Sequence, residues 1–433
     1  MKEKKLSRLK SESRPLSGLF KVFFVFASGC SVESSPLTTA QSTAENSIVA
    51  SHFVGKHATK SESSTTHNLN NLSEPVVQPN NSVLSSLSSV RRPGSETGDN
   101  QPPILAVRLQ DHTVLGVPIG LFAEQMFLMR NDGAIQLIKY GDIVQQTVLK
   151  DRFRSIERSE LAKQLRAEFG RNYSVKSDLP YLIVARPEHI ESWCKRFRSL
   201  HHSFSLYCST HGIKTREIEF PLVAVVFGSR TEFQRYIRSE PLQVPESVVG
   251  YYMPDSNRIL LYESSGESTN ETEKVICHEA THQLAFNTGL HQRRAATPLW
   301  LAEGFASMFE APMLLGTQNR DGTSLWPESR QHSWQLLAKH PESVHRLVSG
   351  LIQNDSAFES DAQNAYAVAW AMTTYLSRRC PKQFGAYLNR VSQLPPFESY
   401  QAGQRVADFQ SAFGADNGLL SKKIIKYLES LEW

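Results

Sequence analysis

Residues 278–282 read His278-Glu279-Ala280-Thr281-His282, two imidazoles four positions apart with a carboxylate beside the first. On an α-helix that spacing puts both histidines on one face, one turn apart, so both can reach a single ion. Glu279, one position round the helix, can then stand beside the ion's open position and take a proton from a water placed there. From Val275 to Leu284 the only charged residue is Glu279, as expected of a helix buried beside its metal. Asn270 reads as the N-cap of this helix and Gly289 as its C-terminal stop. The plainer alternative is a pair of core histidines satisfied by hydrogen bonds.

A third ligand is needed, and Thr297-Pro298-Leu299-Trp300-Leu301-Ala302-Glu303-Gly304-Phe305-Ala306 offers one. Thr297 as N-cap with Pro298 in the first turn predicts a helix start. Glu303 is then an acid inside an apolar helix flanked by Trp300, Leu301, Phe305 and Met308, and a buried carboxylate needs a partner such as a cation. HExxH followed, after twenty intervening residues, by Glu303 in Trp-Leu-x-Glu-Gly-Phe-Ala resembles the gluzincin metallopeptidases of the peptidase MA-like clan. The phrase is most similar to the M1-type aminopeptidases, and the likeness extends to an exported bacterial family of unassigned function with a gluzincin-like domain, over roughly residues 160–433. The resemblance implies that His278, His282 and Glu303 bind Zn2+ and that Glu279 is the general base. It also implies that a tyrosine about sixty residues beyond the glutamate ligand donates to the oxyanion; Tyr366 stands at that distance, with Tyr375 the runner-up, and helix packing is the alternative for both.

The chain departs from those relatives in three ways. There is no Gly-x-Met-Glu-Asn segment to grip a free amino terminus, so aminopeptidase action does not carry over. Ala302 replaces the usual asparagine. Ser307 stands where thermolysin-like enzymes carry an aspartate that orients a histidine, so that support must come from elsewhere. The strand Arg258–Tyr262, just before the metal helix, is expected as the edge strand that binds extended substrate in the gluzincins. His291, His332, His340 and His345 have no ligand spacing and read as ordinary residues.

The elements that must position these groups form an α+β pattern. Short strands from Ile104, with Asn131-Asp132-Gly133 as a hairpin signal, predict a small β-domain over 103–150. A gluzincin-like peptidase domain over 159–433 follows. Its mixed α/β lobe (159–265) contains buried-strand patterns at Tyr181–Ala185 and Pro221–Phe227 and a hairpin through Pro254–Asn257. Its second lobe (266–433) is mostly helical.

Residues 1–30 read as a signal peptide: a basic stretch, the short apolar run Val22–Ala27, then Ser28-Gly29-Cys30, a candidate lipobox with Cys30 as the lipidated residue. Ala27 stands where a lipobox prefers leucine, so an ordinary secretion signal is the alternative. Residues 31–102, rich in Ser, Thr and Asn, read as a disordered tether. Without residues 1–29 the chain holds 40 Lys/Arg against 41 Asp/Glu, a near-neutral body that argues against nucleic-acid binding. No CxxC pair occurs, and Cys194 and Cys208 are open either to a disulfide or to burial as free thiols. The expectation is an exported zinc metallohydrolase, tethered to a membrane through Cys30 and acting on a peptide or protein. The competing expectation is a non-catalytic cell-surface binding protein that keeps zinc as a structural element.

Overall fold

The first residues described are ones of high strand propensity. The computed structural model describes residues 103–149, 152–239, 248–263, 269–310 and 328–431; the expected signal segment, Cys30 and the tether lie outside them. Five strands come first: β1 (Ile104–Arg108), β2 (Thr113–Leu121), β3 (Gln125–Met129), β4 (Ile135–Lys139) and β5 (Gln145–Leu149). Hairpins join the first four, and a single 3-10 turn at Tyr140–Asp142 lets β5 return beside β1, giving the order β4-β3-β2-β1-β5. Alternate residues Leu105, Val107, Val114, Met126, Leu128 and Ile138 form a core of their own, as the two-residue period of a strand requires. The Asn131-Asp132-Gly133 turn joins β3 to β4, with Gly133 at φ +81°.

A mixed α/β layer follows: α1 (Arg158–Phe169), β6 (Ser174–Asp178), β7 (Tyr181–Ala185), α2 (Ile190–Thr210), β8 (Leu222–Phe227), α3 (Arg230–Ser239), β9 (Gly250–Met253) and β10 (Arg258–Tyr262). The sheet order is β6-β7-β8-β10-β9, parallel through β7, β8 and β10 and antiparallel at both edges. Every residue of β7 and β8 is buried, which is why these strands read as unbroken apolar runs. Ile183, Ala224, Val226 and Ile259 face the helical core, while Leu182, Val184, Val225 and Leu260 face the layer that includes Leu161, Leu165 and Phe233.

The strand Arg258–Tyr262 is not the edge. It is β10, paired on one side with β8 and on the other with β9, so the edge strand on that side of the sheet is β9. The crossover through α3 sets β10 beside β8, and β9 can then occupy only β10's far side.

The rest is helical: α4 (Thr269–Asn287), α5 (Leu299–Met308), α6 (Glu328–Ala338), α7 (Pro341–Gln353), α8 (Ala357–Ser360), α9 (Ala362–Arg379), α10 (Pro381–Ser392), α11 (Ala402–Phe413) and α12 (Asn417–Glu429). The molecule is thus α+β, with strands concentrated early and helices late. Two expected helix starts shift. Helix α4 begins at Thr269, so Asn270 lies within its first turn. Helix α5 begins at Leu299, with Pro298 extended (φ −56°, ψ 129°) in the cap position and Thr297 outside it. All described residues belong to one compact unit, and among them no helix is long and apolar enough to cross a membrane.

Candidate metal centre

Helix α4 carries the first two groups and lies against the β9 edge. Gly250 permits the approach: a Cβ there would stand 2.8 Å from Val275 Cγ1. Gly289 follows the helix at φ +77° and ends it as expected. Helix α5 brings the third group and packs tightly on α9, where a Cβ on Gly304 would clash with Thr373 Oγ1 and with the Ala369 carbonyl oxygen. Glycine is therefore the residue that lets each ligand helix reach its neighbour.

These helices bring His278, His282 and Glu303 together in the interior, none more than 3% exposed. Their ligand atoms all lie within 4.8 Å of one another, a group that could hold a metal ion. Nε2 of His278 is 3.0 Å from Nε2 of His282 and 3.2 Å from Glu303 Oε2. Nε2 of His282 is 3.6 Å from Glu303 Oε1. An ion bound tetrahedrally at about 2.0–2.1 Å holds its ligands roughly 3.3 Å apart. The residues present fit such an ion in both donor type and spacing.

Glu279 sits one position round the helix, fully buried. The backbone N–H of Tyr252, on β9, donates to its Oε2 at 2.8 Å, while its Oε1 has no hydrogen-bond partner among the described residues. Burial raises its pKa to about 8 against the opposing influence of His278. One oxygen is tethered and the other is left free to exchange a proton.

Charge balance at the ligands follows the same geometry. Burial pushes Glu303 up, but His282 and His278 outweigh it and bring its pKa to about 2. Burial disfavours a charged His278, yet its hydrogen bonds to Glu303 and Glu310 prevail and raise it. Glu310 was not singled out from the sequence. Its Oε1 lies 2.8 Å from His278 Nδ1 and accepts a hydrogen bond from Arg330 Nη2 at 3.1 Å. It supplies the orienting carboxylate that Ser307 cannot. One signal was present: Glu303, Ser307 and Glu310 follow one another at i, i+4 and i+7, a single helical stripe.

Tyr366, on α9, also lies near the group: burial, then the field of Glu303, raise its pKa well above the usual value. Tyr375 does not reach it; its ring packs on Tyr427 at 5.6 Å. Cys277 is buried and belongs to the main hydrophobic core. Cys194 and Cys208 are free buried thiols on one helix; fourteen positions at 1.5 Å each part them by about 21 Å, too far for a disulfide. His291 is buried, and burial followed by the nearby His282 lowers its pKa to about 3.

Residues 273–398 match a family model described as a protein of unknown function (DUF1570). That stretch contains His278, Glu279, His282, Glu303, Glu310, Arg330 and Tyr366. No curated protein matches the chain.

Proposed function

We propose that the chain is an exported zinc metallohydrolase that cleaves peptide bonds. The observation that carries this reading is the placing of Glu279, a buried carboxylate with one oxygen fixed by Tyr252 and the other without a partner among the described residues, beside the group formed by His278, His282 and Glu303. A purely structural metal site has no need of such a base. When bound, zinc would supply Lewis-acid polarisation of the scissile carbonyl and of the attacking water. Glu279 takes the proton of that water and later returns it to the leaving amine. Tyr366 offers its hydroxyl to the oxygen on which charge develops, and the enclosed setting strengthens that hydrogen bond. Glu310 fixes the ring of His278 by accepting from its Nδ1.

Metal analysis run beside a peptide-library digest of wild type and Glu279→Gln tests the reading. One zinc per chain, lost in His278→Ala, is expected, with cleavage falling about 10²–10⁴-fold in Glu279→Gln while zinc is retained. Zinc-loaded protein that cuts nothing, or cuts equally well as the variant, would sink the enzyme and favour the surface binding protein. Membrane attachment through Cys30 is part of the same proposal; an unlabelled mature protein after growth with a radioactive fatty acid would exclude it.

A further inference from the structure

The guanidinium of Arg330, on α6, makes two contacts with groups that lean on the ligand set. It donates through Nη2 to Glu310 Oε1 at 3.1 Å, the oxygen that also faces His278 Nδ1 at 2.8 Å. Its central carbon lies 4.8 Å from the centre of the Tyr366 ring, and Tyr366 in turn lies within the field of Glu303. A chain of contacts therefore runs from the metal group through His278 and Glu310 to Arg330 and on to Tyr366, which stands near Glu303. Arg330 and Glu310 are both largely buried, their side chains 14% and 1% exposed.

We propose that Arg330 is a positioning residue that holds the His278 ring and the Tyr366 hydroxyl in register with one another. Only a guanidinium suits both contacts, because it is flat enough to lie over an aromatic face and still donates from its rim. The plainer role is neutralising Glu310, and a lysine would serve that equally well. The two roles therefore part at Arg330→Lys. The portion concerning turnover rests on the metallopeptidase reading; the portion concerning metal and ligand binding stands apart from it.

The experiment uses full-length protein loaded with zinc or cobalt(II), each variant first shown to be folded by its thermal transition. Arg330→Lys should keep zinc affinity within about threefold of wild type, whereas Arg330→Gln should lose about 10–100-fold in competition with a chelator, the range for groups that orient a ligand. Acetohydroxamate titrated into the cobalt(II) protein, followed in the visible spectrum, needs no substrate. Arg330→Lys and Tyr366→Phe should each weaken its binding about tenfold, one hydrogen bond's worth, and the double variant no further. On a cleaved peptide, Arg330→Lys should lower kcat with KM unchanged. Zinc affinity unchanged in Arg330→Gln, or acetohydroxamate binding unchanged in Arg330→Lys, would overturn the proposal. Failure of the wild type to cleave any peptide would overturn the peptidase reading and leave the metal and acetohydroxamate results to decide this one.

Discussion

A buried imidazole keeps one orientation only if its second nitrogen is held, and Glu310 holds that of His278. Replacing Glu310 with glutamine keeps the size but removes the charge that Arg330 and His278 both face. Glu310→Gln should therefore weaken zinc binding about 10–100-fold by chelator competition, with the thermal transition of the zinc-loaded protein lower than that of wild type. Unaltered affinity would mean that Glu310 merely fills space. The buried grouping of His278, His282 and Glu303 was legible in the sequence, because helical spacing alone brings His278 and His282 together and a lone acid among Trp300, Leu301 and Phe305 demands a partner. Glu310 was harder to see: beyond Met308 the chain tightens into i to i+3 turns, with the Glu310 N–H donating to the Ser307 carbonyl. Choosing between Tyr366 and Tyr375 needed the fold. Nine residues apart on one helix, they point about half a turn away from each other, so only one can face α5.

Helix α5 is ten residues long, too short to persist on its own, and no side chain of its own caps its start. Asp355 serves instead from outside the helix: its Oδ1 accepts the Leu299 N–H at 3.1 Å. Arg405 grips both oxygens of Asp355, at 2.8 and 2.9 Å, and also donates to the carbonyls of Leu351 and Ile352. Asp355→Ala removes the cap and leaves a buried guanidinium without its carboxylate, so a loss of about 2–3 kcal/mol is expected in chemical denaturation. A loss below about 0.5 kcal/mol, the size of an ordinary surface change, would show that α5 needs no such support. Gly304→Ala tests the other side of the helix. The added methyl meets backbone at Ala369, so α5 must back away from α9, at about 1–3 kcal/mol and with weakened zinc binding as Glu303 moves with it. Stability lost without zinc lost would detach Glu303's position from that packing. None of this external support is visible locally, which is why the sequence placed the start of α5 at Thr297 and Pro298. Strands show the same limit: β7 and β8 announced themselves as apolar runs, whereas β6, reading Ser-Val-Lys-Ser-Asp, is a strand by virtue of pairing with β7.

At the scale of the molecule, the small five-stranded sheet bears on the same strand that positions Glu279. Ile135 donates its N–H to the Asp255 carbonyl in the turn between β9 and β10. Arg293 donates to the carbonyls of both Gly133 and Pro254, tying the sheet's own hairpin to that turn. Phe397 reaches over from the helical part, its ring 5.3 Å from Phe122 and 4.8 Å from Phe127, and its N–H donates to Arg294. The sequence showed the sheet's existence but no purpose for it, since contacts between residues so far apart along the chain leave no periodic trace. If the sheet braces the β9–β10 turn, loosening it should be felt at Tyr252, whose N–H holds Glu279. Phe397→Ala removes a partly buried ring and should cost about 2–3 kcal/mol, somewhat under the value for a fully buried phenylalanine. Hydrogen exchange is the deciding measurement, because it reads local opening residue by residue. Amides of 104–149 and of 250–257 should speed up together, while those of β7, on the far side of β8 and β10, stay protected. Faster exchange confined to 104–149 would mean that the sheet is attached to the turn without bracing it.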